Sequence, residues 1–326
     1  MERLIALFPD NLPEALQIGE KAVGTFAVRR VSNVLISGLG GSGIGGKIMS
    51  QLVWDVCPVP ITLVHDYRIP AFVGSETLFI ASSYSGNTEE TLSTLEQALK
   101  AGASVVCITS GGKLEEIARK NDLNLILIPA GQPPRTSFGY NAIQVLFAFH
   151  AYGLISDEFK NDLADAAAFL KRETESIRTR AREVAEAIHG TAPIIYAETY
   201  LEGVAVRLRQ QLNENAKILT WHHVLPEMNH NELVGWAGAA KNHTVLLIRS
   251  PEDHPGTVRR MELSKEIISR HAERVIELHA QGDTRIARLY YLIHLADWIS
   301  YYLAVRRDVD PIEIEVIDYF KDALAK

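Results

Sequence analysis

Residues Thr77–Ala101 read T-L-F-I-A-S-S-Y-S-G-N-T-E-E-T-L-S-T-L-E-Q-A-L-K-A. The first part, Thr77–Ala81, is short and apolar, which is typical of a buried strand. The last part, Glu89–Ala101, has the apolar spacing of an amphipathic helix. A strand that passes through a turn into a helix is the repeating unit of parallel α/β sheets, so this stretch predicts that class of fold.

The turn within this stretch has the composition of an anion site. The first N–H groups of a helix lack partners and carry partial positive charge, so hydroxyls placed there suit a phosphate. The alternative is a simple helix cap, formed by Asn87 with Glu90 three positions later. A cap needs one side chain, whereas this turn supplies Ser82, Ser83, Ser85, Asn87 and Thr88. We therefore interpret it as a phosphate site, a role that can coexist with capping.

A second loop, rich in glycine, lies upstream of this turn. It reads G-L-G-G-S-G-I-G-G at Gly38–Gly46, between a predicted strand at Val31–Ser37 and a helix. Its glycines satisfy G-x-G-x-x-G, and Asp66 follows the next strand, so a dinucleotide site is an alternative. However, a dinucleotide site does not require a second, serine-rich turn, and this loop carries its own hydroxyl at Ser42. Two such turns on one sheet favour a single phosphate group.

The composition of the chain is that of a soluble enzyme. Its 326 residues have room for two domains of ordinary size, and its net charge of −7 argues against a nucleic-acid or membrane-surface partner. No apolar run reaches membrane-spanning length, and the N-terminus lacks a signal-peptide pattern. Cys57 and Cys107 are the two cysteines, and Cys107 lies in an apolar run, so we expect it to be buried in a reducing cytoplasm.

Short apolar runs alternate with helical patterns along the whole chain. In the first half we predict strands at 31–37, 61–65, 77–82, 104–109 and 124–129, and helices at 43–54, 88–101, 113–121 and 137–153. In the second half we predict strands at Ile194–Ala197, Thr244–Ile248 and Val275–Leu278, and helices at Leu201–Lys217, Thr257–Arg270, Arg285–Val305 and about Pro311 to Leu324. The alternation predicts an α/β fold with two subdomains, each a parallel sheet flanked by helices in three layers.

The two alternating halves indicate an internal structural duplication. We expect an N-terminal domain at 1–153, a helical connector at 154–190 and a C-terminal domain at 191–326. The connector is predicted to be helical because Ala164–Ile188 contains strong helix formers and lacks Pro and Gly.

Polar side chains that could carry chemistry concentrate in the second half. Asn213-Glu214-Asn215 lies near the end of a predicted helix, and W-H-H-V-L-P-E-M-N-H-N-E follows at 221–232, a segment that is too polar and irregular for packing. A metal site is conceivable there, because His and carboxylate are metal ligands. No H-x-x-x-H or H-x-H pair is present, however, so we expect no metal, and His222 and His223 are expected to be hydrogen-bonded surface or interface residues.

Five motifs give the sequence a resemblance to a known family. They are, in order, G-L-G-G-S-G-I-G-G, S-S-Y-S-G-N-T-E-E-T, P-P-R-T-S-F-G-Y, N-E-N-A-K and H-V-L-P-E-M-N-H-N-E. From about residue 30 onward, the chain resembles the bifunctional phosphoglucose/phosphomannose isomerases, which belong to the phosphoglucose isomerase superfamily and are built from sugar-isomerase (SIS) domains. The first two motifs indicate an SIS domain in general, whereas N-E-N and N-H-N-E indicate the narrower family.

The resemblance implies an aldose–ketose isomerisation that interconverts fructose 6-phosphate with glucose 6-phosphate and mannose 6-phosphate through an enediol(ate). Glu214 matches the family's base, and His230 matches the histidine that assists ring opening, with Lys321 as its helper; the alternative for Lys321 is a solvated lysine on a C-terminal helix. Arg135 matches the arginine that stabilises the enediolate; the alternative is a surface arginine in an ion pair. The residues implied to hold the substrate phosphate are Gly41, Ser42, Ser83, Ser85 and Thr88.

The resemblance also implies that the enzyme needs no metal or organic cofactor and works as a symmetric homodimer, in which His230 reaches the site of the other subunit. The segment Trp221–Trp236 agrees with a partner surface, since it mixes polar residues with apolar ones, namely Trp221, Leu225, Met228, Leu233 and Trp236. One departure concerns substrate scope. In the superfamily, activity on both glucose and mannose phosphates is ascribed to a small residue near the C-terminal segment. The corresponding segment here, 310–318, contains no Thr or Ser, so mannose 6-phosphate is the less secure substrate.

Two alternatives come from other functional classes. A non-catalytic SIS-domain sensor of sugar phosphates would keep the two loops, but it has no use for Glu214, Arg135 and His230 together. Such a sensor would also carry a DNA-binding module, and the sequence has no basic helix-turn-helix pattern. An NAD-linked dehydrogenase remains as the alternative based on the glycine loop and Asp66.

Overall fold

The computed structural model describes residues 1–238 and 241–324 as two compact units. The N-terminal unit contains Leu7–Lys171 and Thr284–Ala287, and the C-terminal unit contains Met1–Ala6, Arg172–Asp283 and residues 288–324. Each unit has its own parallel sheet with flanking helices, which confirms the predicted α/β class. None of the helices in the described chain combines the length and the apolar character that crossing a membrane requires.

The N-terminal unit is built on a five-stranded sheet. Its strands are β1 (Asn33–Ser37), β2 (Ile61–Val64), β3 (Thr77–Ser82), β4 (Ser104–Thr109) and β5 (Asn124–Leu127), in the order β2-β1-β3-β4-β5 and all parallel. Its helices are α2 (Phe8–Val23), α3 (Gly40–Leu52), α4 (Glu89–Lys100), α5 (Gly112–Lys120), α6 (Phe138–Ala151) and α7 (Phe159–Arg172). All five predicted strands and four predicted helices of this half are confirmed within a few residues, whereas α2 was not predicted.

The order of these strands determines where a ligand can bind. The chain goes from β1 to β2 on one side and then returns to β3 on the other side of β1. In open α/β sheets, ligands bind outside the carboxyl ends of the strands at such a reversal. Ser37 at the end of β1 pairs with Ala81 near the end of β3, so the two loops leave the sheet side by side.

Burial inside the N-terminal unit explains why its central strands could be predicted from the sequence. Strands β3 and β4 are buried along their full length, because helices cover both faces of a parallel sheet. Helix α6 is also buried, from Phe138 to Phe149. Cys107 on β4 is fully buried as predicted, and burial raises the pKa of its thiol to about 12.

The C-terminal unit is built on a four-stranded sheet. Its strands are β6 (Ala192–Glu198), β7 (Trp221–Leu225), β8 (His243–Arg249) and β9 (Arg274–His279), in the order β7-β6-β8-β9 and all parallel. Its helices are α1 (Glu2–Ala6), α8 (Thr174–Ile188), α9 (Glu202–Ala216), α10 (Glu232–Gly235), α11 (Pro255–Ile268), α12 (Arg285–Arg306), whose first turn belongs to the other unit, and α13 (Glu315–Leu324).

One prediction for this unit was wrong. The segment 221–232 was judged too polar and irregular to pack, yet its first part forms β7, which pairs with β6 along its whole length. Leu225, Met228 and Trp236 are buried in the core of their own unit, so they cannot supply the partner surface expected of Trp221–Trp236. The prediction failed because β7 is an edge strand, and edge strands tolerate polar side chains that a central strand excludes.

Candidate active site

The glycine loop after β1 lies directly against the end of β3. A Cβ atom on Gly38 would lie 2.8 Å from the carbonyl oxygen of Ser82, and one on Gly43 would lie 2.4 Å from that of Gly38. These separations are too short for any side chain, so the glycines permit close contact between the loop, the strand end and the first turn of α3. Helix α3 begins at Gly40, three residues before its predicted start.

The serine-rich turn after β3 is organised around two hydroxyls. Ser83 Oγ and Thr88 Oγ1 are hydrogen-bonded at 2.8 Å, and Ser85 is exposed. The alternative interpretation, a cap formed by Asn87, does not hold: Thr88 occupies the N-cap position of α4, and within the described chain no side chain caps that helix. Asn87 instead accepts a hydrogen bond from the backbone N–H of Lys113, in the first turn of α5. The first N–H groups of α4 therefore remain available for an anion.

A buried asparagine joins the two loops. Asn141 Nδ2 donates to Ser42 Oγ at 3.2 Å, and Asn141 Oδ1 accepts from the Ser82 hydroxyl at 2.7 Å. The backbone N–H of Tyr84 donates to the same Ser42 oxygen at 3.0 Å. Asn141 was not singled out in the sequence, where it only follows the P-P-R-T-S-F-G-Y motif. The hydroxyl of the first loop and the backbone of the second are therefore part of one hydrogen-bond network.

A third loop brings Arg135 to the same place. Pro134–Thr136 forms one turn of 3₁₀-helix, and a Cβ on Gly41 would lie 3.0 Å from the carbonyl oxygen of Pro134 and 3.5 Å from the backbone nitrogen of Arg135. Arg135 is 5% exposed, so it is not the surface arginine of the alternative interpretation. It is a buried cation in a loop that contacts the glycine loop.

The N-terminal unit thus collects six of the predicted site residues around the carboxyl ends of β1 and β3. They are Gly41, Ser42, Ser83, Ser85, Thr88 and Arg135. Hydroxyl groups, two helix N-termini and one arginine make this edge attractive to an anion even though the chain has a net negative charge.

The other predicted site residues belong to the C-terminal unit. Glu214 is half-buried in the last turn of α9. His230 ends the short 3₁₀-helix Glu227–His230, and Lys321 lies on α13; both are exposed.

Helix α9 is held in a defined rotation by buried polar contacts. Arg207 and Gln211 each donate to the carboxylate of Asp297 at 2.7 Å, and Asn215 donates to Ser300 Oγ at 2.9 Å. Arg207, Gln211 and Asn215 are four positions apart, so their side chains lie on the same side of α9. That side faces α12. Burial raises the pKa of Asp297 more than Arg207 lowers it. Glu214, adjacent to Asn215 in sequence, is consequently directed away from this contact at a fixed angle.

Lys217 is a residue that the sequence analysis missed. It follows α9 with a left-handed backbone, φ 55°, and its ammonium donates to three carbonyl oxygens, those of Glu214 (2.7 Å), Asp310 (2.8 Å) and Glu313 (2.7 Å). The only available signal was a cation at a helix C-terminus, in N-E-N-A-K. Lys217 fastens the segment that leads to α13, and hence to Lys321, onto the last turn of the helix that carries Glu214.

Four of the five histidines and carboxylates of 221–232, all except the exposed His230, have partners within the described part of the fold. His222 Nε2 lies 3.7 Å from Glu202, and His223 Nδ1 accepts from the backbone N–H of Val224. Glu227 accepts from Asn231, and Glu232 accepts from the Trp221 indole at 3.2 Å and from the Tyr196 hydroxyl. In residues 1–238 and 241–324 no group of three or more His, Cys, Asp or Glu side chains is arranged to hold a metal ion.

Comparison with known proteins identifies the family. Residues 28–152 match the family described as SIS domain, and residues 177–324 match the family described as bacterial phospho-glucose isomerase C-terminal SIS domain. The C-terminal domain of glucosamine-fructose-6-phosphate aminotransferase from Francisella tularensis superposes with a TM-score of 0.77 at 16% identity, covering 95% of this chain and 96% of that one. At such low identity this likeness supports the fold alone.

Curated relatives extend the match to nearly the whole chain. A bifunctional phosphoglucose/phosphomannose isomerase from Caldicellulosiruptor bescii is 36% identical over 330 residues, which cover 98% of this chain and 97% of the relative. One from Aquifex aeolicus is 37% identical and covers 90% of each chain. The predicted family and the predicted isomerase class are confirmed. The chain belongs to the family of bifunctional phosphoglucose/phosphomannose isomerases.

Proposed function

We propose that this enzyme interconverts fructose 6-phosphate with glucose 6-phosphate and mannose 6-phosphate. The observation that carries the proposal is the convergence of three loops at the reversal of the N-terminal sheet, where hydroxyls, two helix N-termini and Arg135 are gathered. The relatives in Caldicellulosiruptor bescii and Aquifex aeolicus bear the names of these two activities and support the choice of substrates.

The phosphate of the substrate binds at the carboxyl edge of β1 and β3. Ser42 donates its hydroxyl hydrogen, and so does one hydroxyl of the hydrogen-bonded pair Ser83 and Thr88, because the other hydroxyl of that pair donates to its neighbour. The free N–H groups at the starts of α3 and α4 complete the set. Ser85, exposed at the rim of the turn, and Gly41, which leaves room beside the Arg135 loop, belong to the same site. This arrangement holds the non-reacting end of the sugar in a defined place.

Glu214 is the base of the isomerisation. Its carboxylate takes the C2 proton of the open-chain aldose, which leaves an enediolate; after a proton moves between O1 and O2, Glu214 returns its proton to C1 and the ketose forms. The polar contacts that fix α9 on α12 support this role, because proton transfer requires a carboxylate at a set position. The guanidinium of Arg135 stabilises the negative charge of the enediolate.

His230 and Lys321 assist ring opening, in which a proton leaves the anomeric hydroxyl and another reaches the ring oxygen. Both side chains are exposed, which is compatible with a site completed by another chain.

The working unit in this proposal is a symmetric homodimer in which His230 completes the partner's site. Of the five apolar residues expected to form the partner surface, Leu225, Met228 and Trp236 are buried, Leu233 is partly buried against the core, and Trp221 is 42% exposed. The structure adds two exposed apolar residues that were not predicted, Leu219 at 90% and Val234 at 77%. The enzyme is proposed to act in the cytoplasm, which agrees with two free cysteines.

Complementation tests the shared site. Glu214→Gln and His230→Ala subunits are each inactive as homodimers, but a heterodimer contains one site with both functional groups. Mixing them under conditions of exchange should restore up to half of the sites in heterodimers. If mass spectrometry confirms exchange and no activity returns, each subunit uses its own histidine.

The activity itself is tested by coupled assays with purified enzyme in the presence of EDTA. Fructose 6-phosphate should yield glucose 6-phosphate, and the rate with mannose 6-phosphate is expected to be lower because segment 310–318 lacks Thr and Ser. Loss of activity on chelation, restored by Zn²⁺, would contradict a mechanism run by side chains. A protein that binds sugar phosphates without turnover would favour the sensor alternative.

A further inference from the structure

The hydroxyl group of Ser42 has both of its acceptor positions occupied. The oxygen accepts from the backbone N–H of Tyr84 at 3.0 Å and from Asn141 Nδ2 at 3.2 Å, and the residue is 6% exposed. A serine hydroxyl offers two lone pairs and one hydrogen. With both lone pairs engaged, the hydrogen must point away from Tyr84 and Asn141. Within the described chain, the structure shows no acceptor for that hydrogen.

The amide of Asn141 lies between the hydroxyls of Ser82 and Ser42. The Ser82 hydroxyl donates to Asn141 Oδ1 at 2.7 Å, and the NH₂ group of Asn141 lies against Ser42. Asn141 is 2% exposed on α6, a helix that is itself buried, so its side chain has little freedom to turn.

We propose that Asn141 is a positioning residue for phosphate binding: by donating to Ser42 Oγ, it forces the Ser42 hydroxyl to act as a hydrogen-bond donor to the substrate phosphate. A dianion accepts hydrogen bonds and cannot donate them, so a hydroxyl whose polarity is set in advance binds it without losing rotational freedom. This inference rests on the proposed function, which supplies the identity of the sugar. The contact that it concerns is the one between Ser42 and the phosphate group.

The substitution that tests this is Asn141→Asp. Aspartate has nearly the same shape, but its carboxylate accepts from Ser42 and so captures the hydrogen that the phosphate needs. We expect the KM for fructose 6-phosphate and the inhibition constant of inorganic phosphate to rise together by about 10- to 100-fold, the loss of one hydrogen bond to a charged group. The kcat should change less than about threefold, because Asn141 does not touch the reacting carbons.

Gln144→Glu is the matched control. Gln144 lies on the same helix, is fully buried and donates to the carbonyl oxygen of Ala15 instead of to a loop. The Gln144→Glu variant therefore shows what a carboxylate inside α6 does to the protein in general. Its inhibition constant for inorganic phosphate should equal that of the wild type. Ser42→Ala should raise the same two constants, and combining it with Asn141→Asp should add much less than the sum of the single effects.

If Asn141→Asp does not fold, Asn141→Leu replaces it, since leucine has a similar volume without charge. Its effect on phosphate binding should be about 3- to 10-fold, because Ser42 regains its rotation, and it too should be non-additive with Ser42→Ala. Unchanged phosphate inhibition in a folded Asn141 variant, or full additivity with Ser42→Ala, would overturn the proposal. Titration of inorganic phosphate by calorimetry separates the two hypotheses: a wild-type protein that binds phosphate through Ser42 and Asn141 but isomerises nothing would refute the proposed function alone.

Discussion

Replacing Lys217 by methionine should release the C-terminal segment from the helix that carries Glu214. Lys217 uses all three ammonium hydrogens, on the carbonyl oxygens of Glu214, Asp310 and Glu313, and its ammonium lies 3.6 Å from the Glu313 carboxylate. A hydrogen bond from a charged group contributes about 1.5–3 kcal/mol, so three would contribute roughly 4.5–9 kcal/mol if fully buried. The side chain is 28% exposed and water can replace part of these contacts, which reduces the estimate to about 2–4 kcal/mol.

Hydrogen exchange measures this loss directly. A local loss of about 2–4 kcal/mol corresponds to roughly 30- to 1000-fold faster exchange of the hydrogen-bonded amides of α13, provided that opening is in rapid equilibrium. The kcat should fall as well, because Lys321 lies on that helix. Lys265→Met is the control: Lys265 makes one ion pair, with Glu277, and its loss should cost about 0–1 kcal/mol and leave α13 unchanged.

Lys217→Gly provides an internal check. The backbone of Lys217 is left-handed, which costs a non-glycine residue about 1 kcal/mol, so glycine should lose the same contacts as methionine but recover that cost. We therefore expect the glycine variant to unfold at a higher urea concentration than the methionine variant. Unchanged protection of α13 in both variants would refute the reasoning.

Three further predictions concern the base, the phosphate and a buried carboxyl. Glu214→Gln should lower kcat by about 10³ with little change in KM, measured by coupled turnover; near wild-type turnover would remove Glu214 from the role of base. Ser85→Ala should weaken substrate binding by about 1–2 kcal/mol at constant kcat, measured as KM, and a change confined to kcat would contradict a binding role. Burial, with a further contribution from neighbouring Glu198, raises the pKa of Asp253 to about 7. The folded protein therefore holds a proton that the unfolded chain releases near pH 4, so the free energy of unfolding should fall between pH 4 and pH 7, by at most about 1.4 kcal/mol per pH unit. Asp253→Asn should flatten that slope in urea titrations, and an unaltered slope would show that other groups produce it.

The central strands of the N-terminal sheet, which were predicted correctly, share one physical circumstance. Strands β1, β3 and β4 are buried by helices on both faces, so their sequences are apolar runs that stand out from the flanking glycines and serines. Strand β7 lies at an edge, is only partly buried and contains two adjacent histidines, His222 and His223, which gave it the appearance of an irregular polar segment.

Some residues of the candidate site could be predicted from the sequence and others could not. Ser42, Ser83 and Thr88 could be selected because a phosphate site requires hydroxyls beside a helix start, and both features are adjacent in sequence. Asn141 and Lys217 could not, because each acts on partners that are distant in the sequence: Asn141 on Ser42 and Ser82, and Lys217 on carbonyls of 310–313.

The amino-acid sequence by itself determined the class of fold, the two loops at one sheet edge and, through its motifs, the family, because these depend on periodicity and on residues that are neighbours in the chain. Only the tertiary structure decided that Asn87 caps α5 instead of α4, that Arg135 is buried, and that Asn141 and Lys217 position the groups around them. The physical reason is that a hydrogen bond depends on distance and direction in space, and folding brings together donors and acceptors whose separation along the chain carries no pattern.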